Sequence, residues 1–272
     1  MEIGVYAVCT DETLRPDEVA KLIEDAGLDA IHFGEHSHIP ASRETPFPGG
    51  DLPPDYLRTW DLLVALNTAA LGTTRLRVSS GIIQVAQREP ITTAKALASI
   101  DVLSDGRLDL IVGHGCNIEE MRNHGVDPDR RYDIVREKML AMRAILDNDV
   151  ASFHGEFVNF DDIWSWPKPA QQGGVPLIYG GNSPGSEERA LEYGDGWAPI
   201  NAPGIIERVA AFTSENPGVP VYVAGVATDP AEIERYAEAG AARAILGFGH
   251  VRPGEAEPLL EELRKTVDVA VG

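Results

Sequence analysis

The chain has 272 residues, and its 43 acidic side chains against 23 Lys and Arg give a formal net charge of −20. This charge argues against a nucleic acid or an anionic membrane as partner, and no apolar run reaches the roughly 18 residues that a membrane helix needs. The two cysteines, Cys9 and Cys116, form neither a disulfide framework nor a zinc motif. We therefore expect a cytoplasmic protein with a substantial core.

Strand-like and helix-like segments alternate from the amino terminus. Residues 3–9 predict a first strand, and RPDEVAKLIEDAGLD predicts an amphipathic helix. The second strand, AIHFGEHSHIP, runs into a polar tip that contains Glu35, His36 and His38. A loop rich in Pro and Gly, residues 40–56, comes next. A connection of that length is usually a lid, a binding loop or a disordered segment.

The segment from residue 75 to residue 125 predicts the centre of the fold. LRVSSGIIQV and RLDLIVGHG have the apolar runs of buried strands, and EPITTAKALASIDVLS between them has helical spacing. A helix of this length between two strands predicts a parallel pair with a right-handed crossover. Ligands bind at the carboxyl ends of strands in such folds. The residues at these two ends are Ser80, Gly81, Ile82, His114 and Gly115.

The second half of the chain repeats the alternation. Residues 130–146 predict a helix, and the aromatic-rich residues 153–174 predict a hairpin or irregular insertion that covers part of the site or forms a subunit contact. Four further strand and helix pairs follow. Eight such pairs predict one domain over residues 1–272, a (β/α)8 TIM barrel with insertion segments at the carboxyl-end face. An open doubly wound sheet is the alternative, but it more often has GxGxxG after its first strand.

The sequence GGNSPGSEER predicts a phosphate cradle between a strand and a helix. Its glycines allow a close turn, its polar side chains offer donors, and the free N–H groups of the following helix point at the same place. An ordinary helix cap is the alternative interpretation. The residues of the predicted cradle are Gly180, Gly181, Asn182, Ser183 and Ser186.

Glu35 and His36 are the candidate catalytic residues, because they follow a strand at the end where a barrel has its active site. A histidine there can exchange protons near neutral pH. His36 and His38 with the carboxylate could instead bind a metal, but no further ligand stands out at the other strand ends, so we predict no metal site. A loop histidine without a special role stays possible. No Ser-His-Asp order and no P-loop is present.

Four blocks of the sequence resemble the bacterial-luciferase-like family of flavin- and deazaflavin-dependent oxidoreductases. They are QREPITTAKALASIDVLSDGRLDLIVGHG, SFHGEFVNFDD, PKPAQQGGVPLIYGGNSP and GDGW, in the family's order over nearly the whole chain. The resemblance implies a flavin or deazaflavin ring across the carboxyl ends of the strands, supported by a non-proline cis peptide at Gly81-Ile82. His36 matches the family's second-strand histidine near the ring, with Glu35 beside it. His114 stands where the family often has a small residue or arginine.

The same resemblance implies the chemistry. We expect an oxidoreductase that uses the deazaflavin coenzyme F420 for hydride transfer to or from a small organic substrate. An FMN-dependent monooxygenase and a non-catalytic barrel homologue are the alternatives. The phosphate side corresponds to the cradle described above, and Arg43, Arg88 and Arg189 are candidates for holding an acidic coenzyme tail. Family members commonly pair as homodimers, and the loops determine the substrate.

Overall fold

A computed structural model describes residues 1–47, 50–250 and 252–271. Eight parallel strands form the barrel, hydrogen-bonded in the order β8, β7, β4, β3, β2, β1, β10, β9. Parallel bridges from Trp197 to Val221 and from Ile200 to Ala224 join its two ends. The barrel strands are β1 (Glu2–Val8), β2 (Ala30–Phe33), β3 (Arg77–Gln84), β4 (Leu108–Gly113), β7 (Leu177–Gly180), β8 (Gly196–Ala198), β9 (Tyr222–Val226) and β10 (Arg243–His250); β5 (Val150–His154) and β6 (Asn159–Trp164) form a separate antiparallel hairpin. The predicted (β/α)8 barrel is confirmed.

Helices follow the barrel strands and pack around the sheet. They are α1 (Pro16–Asp25), α2 (Leu62–Leu71), α3 (Pro90–Leu103), α4 (Ile118–Asn123), α5 (Arg131–Asp147), α6 (Ser186–Tyr193), α7 (Ile205–Glu215), α8 (Pro230–Glu238) and α9 (Ala256–Val271). Local chemistry sets several starts: Glu89 accepts from two backbone N–H groups of α3, which has Pro90 in its first turn, and Asp229 caps α8. None of the helices in the described ranges is long and apolar enough to cross a membrane.

The register of the sheet shifts where β3 reaches the site. Ser80 pairs with Leu110 of β4, but the pairing slips by one residue between Gly81 and Ile83. The Gly81-Ile82 peptide bond is cis, as the family resemblance predicted. The slip turns the end of β3 so that Gly81 and Ile82 both line the interior of the barrel mouth.

A buried ion cluster fills the amino end of the barrel interior. Arg243 and Asp109, both fully buried, form two hydrogen bonds of 3.0 and 2.9 Å. Arg77 donates to the same carboxylate at 2.7 Å, and Glu2 accepts from Arg243. The neighbouring arginines hold the pKa of Asp109 far below its usual value against the opposing effect of burial. This cluster closes the barrel on the side opposite to the strand ends that carry the candidate site.

The predicted aromatic insertion is the β5–β6 hairpin, and it packs against α5. The Glu137 carboxylate accepts hydrogen bonds from the backbone N–H groups of Phe157 and Val158, both at 2.6 Å. Arg130 lies over the Phe157 ring and pairs with Glu156. These contacts hold the hairpin on the outer helix layer, and none of its residues lines the cavity at the strand ends, so it does not cover the site. The expected subunit contact stays a prediction.

Candidate functional site

A cavity of about 520 Å³ opens at the carboxyl ends of the barrel strands. Its volume lies in the range of roughly 300–1,000 Å³ that is usual for small-molecule sites. Residues from the ends of all eight barrel strands contribute to its wall, and glycine is unusually frequent among them. The lining glycines are Gly34, Gly81, Gly113, Gly115, Gly180, Gly181, Gly225 and Gly247.

Two of these glycines allow isoleucine side chains to form an apolar wall. A Cβ atom on Gly113 would lie 2.5 Å from Cδ1 of Ile82, and one on Gly180 would lie 2.9 Å from Cγ2 of Ile111. Both distances are shorter than real Cβ contacts; Ile82 can relieve the first by moving its terminal methyl group, whereas Gly180 also has the backbone oxygen of Val112 at 3.3 Å and leaves little room for a side chain. Ile245 lines the cavity as well. These isoleucines make this part of the wall apolar, as is usual in sites for small organic molecules.

His36 lines the cavity and contacts a buried carboxylate. Its Nδ1 atom is 2.9 Å from Oε2 of Glu120, whose side chain is 0% exposed. The backbone N–H of Ser37 donates to Oε1 of Glu120, also at 2.9 Å. Burial alone would raise the pKa of Glu120, but the hydrogen bonds from His36 and Ser37 outweigh it and keep that pKa below its usual value. An ionised carboxylate therefore lies behind His36.

Glu35 also lines the cavity, but its carboxylate is engaged elsewhere. Oε1 accepts from Nε of Arg88 at 2.7 Å, and Oε2 accepts from the backbone N–H of Gln84. The Gln84 side chain in turn donates to the backbone carbonyl of Glu35. These contacts fasten the end of β2 to the end of β3, and they also occupy Arg88, a candidate for the coenzyme tail. The geometry favours Glu35 as a support for the site rather than as a proton carrier.

His38 does not join His36 in the cavity. Its Nδ1 is 2.9 Å from Oγ of Ser37, and its Nε2 is 2.8 Å from the side-chain amide of Asn123. Its ring lies 5.6 Å from that of His124. Both nitrogens of His38 are thus hydrogen-bonded, and His38 does not line the cavity with His36.

The predicted phosphate cradle lies at one end of the cavity. Gly180 and Gly181 line the cavity, and Oγ of Ser183 is 3.1 Å from Oγ of the buried Ser186 at the first turn of α6. The amide of Asn182 is used differently: it donates to and accepts from the backbone of Ile200, at 2.7 and 2.8 Å. Asn182 therefore fastens the turn to the chain after β8, and the serines with the helix N-terminus remain as donors.

Two arginines and a tyrosine that sequence reasoning did not connect lie together beside the predicted cradle. The guanidinium carbons of Arg189 and Arg131 lie 4.2 and 4.7 Å from the ring centre of Tyr132. A hydrogen bond with Ser183 and the nearby arginines lower the pKa of Tyr132 although burial opposes them. Among the described residues, neither arginine forms an ion pair with a carboxylate. Two such arginines beside a helix N-terminus are groups that could hold an anion.

His114 lies between the cavity and the two arginines. Its ring packs edge-on against Tyr132, with 4.9 Å between ring centres, and Nδ1 is 2.5 Å from the carbonyl of Gly115. Burial lowers the pKa of His114, and the charges of Arg131 and Arg189 lower it further. His114 is therefore neutral at neutral pH, and it adds no charge to the site.

Of the ten predicted cofactor-binding residues, six line the cavity, whereas Ser80, Asn182, Ser183 and Ser186 do not. The hydroxyl of Ser80 is buried and donates to the carbonyl of Ile111 at 2.8 Å, so it holds β3 to β4. Ser183 and Ser186 lie beside the cavity at the start of α6. The predicted residues that line it are Glu35, His36, Gly81, Ile82, His114, Gly115, Gly180 and Gly181.

Comparison with known proteins agrees with this architecture. Residues 15–215 match the luciferase-like monooxygenase family. An uncharacterized protein of Mycobacterium tuberculosis is 34% identical over 277 residues, 97% of each chain. An FMNH2-dependent dimethylsulfone monooxygenase of Pseudomonas putida is 34% identical over 109 residues, 39% of this chain and 30% of that protein. The structure of an F420-dependent secondary alcohol dehydrogenase, in complex with an F420-acetone adduct, superimposes with a TM-score of 0.77 at 18% identity and covers 100% of this chain and 99% of that one.

Fold and site together describe a (β/α)8 barrel with a largely apolar cavity at the carboxyl ends of its strands and two arginines beside the N-terminus of α6. The chain belongs to the luciferase-like monooxygenase family, whose members are oxidoreductases and monooxygenases. The family identified from four sequence blocks is thereby confirmed.

Proposed function

We propose that this protein is an oxidoreductase that binds coenzyme F420 in the cavity and uses it for hydride transfer to or from a small organic substrate. The observation that carries the proposal is the convergence of Arg131, Arg189 and Ser183 on the N-terminus of α6, at one end of an apolar cavity. Full-length similarity in fold to an F420-dependent dehydrogenase supports this choice of coenzyme.

The residues present fit a phosphate-bearing tricyclic coenzyme. Ile82 and Ile111 would hold the ring face, and Ser183 with the backbone N–H groups of α6 would hold the phosphate. Arg131 and Arg189 would add charge-assisted hydrogen bonds to it. When bound, F420 supplies two-electron hydride chemistry.

The chain itself contributes binding and proton exchange. His36 lies in the cavity wall with an ionised carboxylate behind it, so it is the group placed to hold or release a proton beside the ring. Tyr6, whose hydroxyl is 3.5 Å from that of Tyr56, lines the same cavity. Burial and the neighbouring Tyr56 raise the pKa of Tyr6 well above its usual value, so its hydroxyl stays protonated and can donate to a substrate oxygen.

FMN is the alternative coenzyme. Arg131, Arg189 and Ser183 would accept the phosphate of FMN as well. The match to an FMNH2-dependent monooxygenase covers 109 residues. With FMN the reaction would be oxygen insertion rather than hydride transfer. A barrel without catalytic activity is the remaining alternative, and it predicts that neither coenzyme binds.

Titration of the purified protein with F420 and with FMN, each oxidised and reduced, tests the proposal by coenzyme fluorescence. We expect F420 to bind more tightly than FMN, because its long acidic tail offers Arg131 and Arg189 more negative charge than the phosphate alone. Preferential binding of reduced FMN would move the function to a monooxygenase. If neither coenzyme bound, the proposal would be wrong and a non-catalytic role would follow.

We also propose that the protein pairs with a second copy of itself through α2. Its outer face exposes large apolar side chains, with Val64 58% and Leu71 62% exposed. Leu57 and Trp60 extend this surface just before the helix. Apolar surface of this kind on an otherwise charged protein marks an interface.

A further inference from the structure

The strongest unexplained contact in the site is the one between His36 and Glu120. Glu120 is fully buried, and both of its oxygens are occupied: Oε2 lies 2.9 Å from Nδ1 of His36, and Oε1 accepts from the backbone N–H of Ser37 at 2.9 Å. The side chain of Asn117 accepts from the backbone N–H of Glu120 at 2.8 Å and caps α4. Hydrogen bonds therefore fix the backbone of Glu120 as well as both oxygens of its carboxylate.

We infer that Glu120 is a positioning residue that determines which ring nitrogen of His36 carries the proton. This inference rests on the proposed function, in which His36 exchanges a proton with the substrate. An ionised carboxylate can only accept hydrogen bonds, so Nδ1 of His36 must donate to it. The neutral ring then has no proton on Nε2, and Nε2 is free to accept one from a substrate hydroxyl as hydride leaves the same substrate carbon. With the proposed coenzyme bound as hydride acceptor, this proton transfer would allow an alcohol to be oxidised to a carbonyl compound.

The fixed backbone donor makes the inference unusually testable. In a Glu120→Gln variant the amide oxygen must occupy the position of Oε1, because the N–H of Ser37 can only donate. The amide NH2 group then faces Nδ1 of His36. Since that group donates, Nδ1 must accept, and the proton of the neutral ring moves to Nε2. One nearly isosteric substitution should thus invert the tautomer of His36.

The inverted ring would be unsuited to proton exchange in either direction. Nε2 would carry a proton when a base is required. The doubly protonated ring, which is required as an acid in the reverse direction, would place Nδ1–H against the amide NH2 group. General acid–base catalysis contributes about 10²–10⁴-fold to rates, so we expect kcat of the coenzyme-dependent reaction to fall by about that factor. The coenzyme Kd should stay within about twofold of the value for the unsubstituted protein, because the residues proposed to hold the phosphate are unchanged.

The experiment is nuclear magnetic resonance of the full chain labelled with ¹⁵N in histidine, which distinguishes protonated from unprotonated ring nitrogens. A His36→Gln variant assigns the His36 signals. In the unsubstituted protein near neutral pH we expect the proton on Nδ1, and in Glu120→Gln on Nε2. Glu119→Gln, the neighbouring carboxylate that accepts from Thr45 instead, is the matched control and should leave the tautomer unchanged.

The result would overturn the inference if the unsubstituted protein carried the proton on Nε2, or if Glu120→Gln kept it on Nδ1. The unsubstituted protein provides a test even if the variant does not fold. The spectra require no coenzyme, so they decide about Glu120 independently of the coenzyme titration. Binding of neither coenzyme would contradict the proposed function alone, whereas an unchanged kcat in Glu120→Gln would contradict the positioning role alone.

Discussion

Arg189 stacks on Tyr132, with its guanidinium carbon 4.2 Å from the ring centre, although the two residues come from different helices. This contact keeps a cation at the N-terminus of α6. We expect Arg189→Gln to weaken coenzyme binding about 10- to 100-fold, because a charge-assisted hydrogen bond contributes about 1.5–3 kcal/mol. Fluorescence titration measures this change, and the loss should shrink at high salt.

Arg136→Gln is the matched control, because it removes the same charge from an exposed pair with Glu192 on the outer side of α5. It should leave coenzyme affinity unchanged. Equal losses of coenzyme affinity in both variants would mean that the affinity depends only on the net charge of the protein and not on the position of Arg189.

The glycines of the cavity wall give a second prediction. Gly180→Ala would place a methyl group 2.9 Å from Cγ2 of the buried Ile111 and 3.3 Å from the backbone oxygen of Val112, and it should cost about 1–3 kcal/mol of unfolding free energy. Gly247→Ala adds the same methyl group with nothing within 4 Å, so it should leave stability nearly unchanged. Because Gly247 lines the cavity, its variant should nevertheless weaken ring binding. Urea unfolding and coenzyme titration separate the two effects, and equal destabilisation by both substitutions would contradict this view of the wall.

The barrel was predictable because its signals are local. Apolar runs, helical spacing and glycine turns alternate eight times, and the cradle at Gly180 and Ser183 follows a strand directly. Glu120 could not be recognised in the same way. It lies 84 positions beyond His36, and its local sequence indicates only the exposed start of a short helix. Its burial depends on α4 packing over the end of β2, which no local pattern encodes.

The residues around the N-terminus of α6 show the same limit. Tyr132 and Arg131 begin α5, whose periodicity predicts a helix but not which of its residues reach the N-terminus of α6. Asn182 was predicted as a phosphate donor from its position in the turn. Its amide instead closes two backbone hydrogen bonds to Ile200, a role that asparagine often has in turns.

The buried His32 predicts a dependence of stability on pH. Burial and the charge of Arg243 lower its pKa to about 3, from an ordinary value of about 6.5. Between these values the unfolded chain binds a proton that the folded chain does not. The contribution of His32 to the unfolding free energy should therefore be fully present above pH 6.5. It should decrease as the pH drops, by up to about 1.4 kcal/mol per pH unit. Urea unfolding between pH 7.5 and 5 should show a shallower slope in His32→Gln, and identical slopes would contradict the assignment.

The proposed homodimer predicts that Val64→Glu yields monomers. Val64 is 58% exposed on α2, and a carboxylate there would have to lose water in a dimer interface. Val150→Glu is the matched control on the β5–β6 hairpin, where Val150 is 48% exposed. Light scattering should report a dimer for the unsubstituted protein and for Val150→Glu. Dissociation by Val150→Glu alone would place the interface on the hairpin, and a monomeric unsubstituted protein would contradict the dimer.

The pair of Arg243 and Asp109 gives the largest expected loss of stability. Both side chains are fully buried, so Asp109→Asn would leave Arg243 with only the half-exposed Glu2 as a charged partner. Removing one member of a buried pair costs about 3–5 kcal/mol, because the remaining charge is not compensated. Glu192→Gln breaks an exposed pair with Arg136 and should cost less than about 1 kcal/mol. Unfolding in urea measures both values. Similar small losses would show that the cluster at the amino end of the barrel does not stabilise the fold, whereas the expected difference would explain how a cavity lined by so many glycines is held open above it.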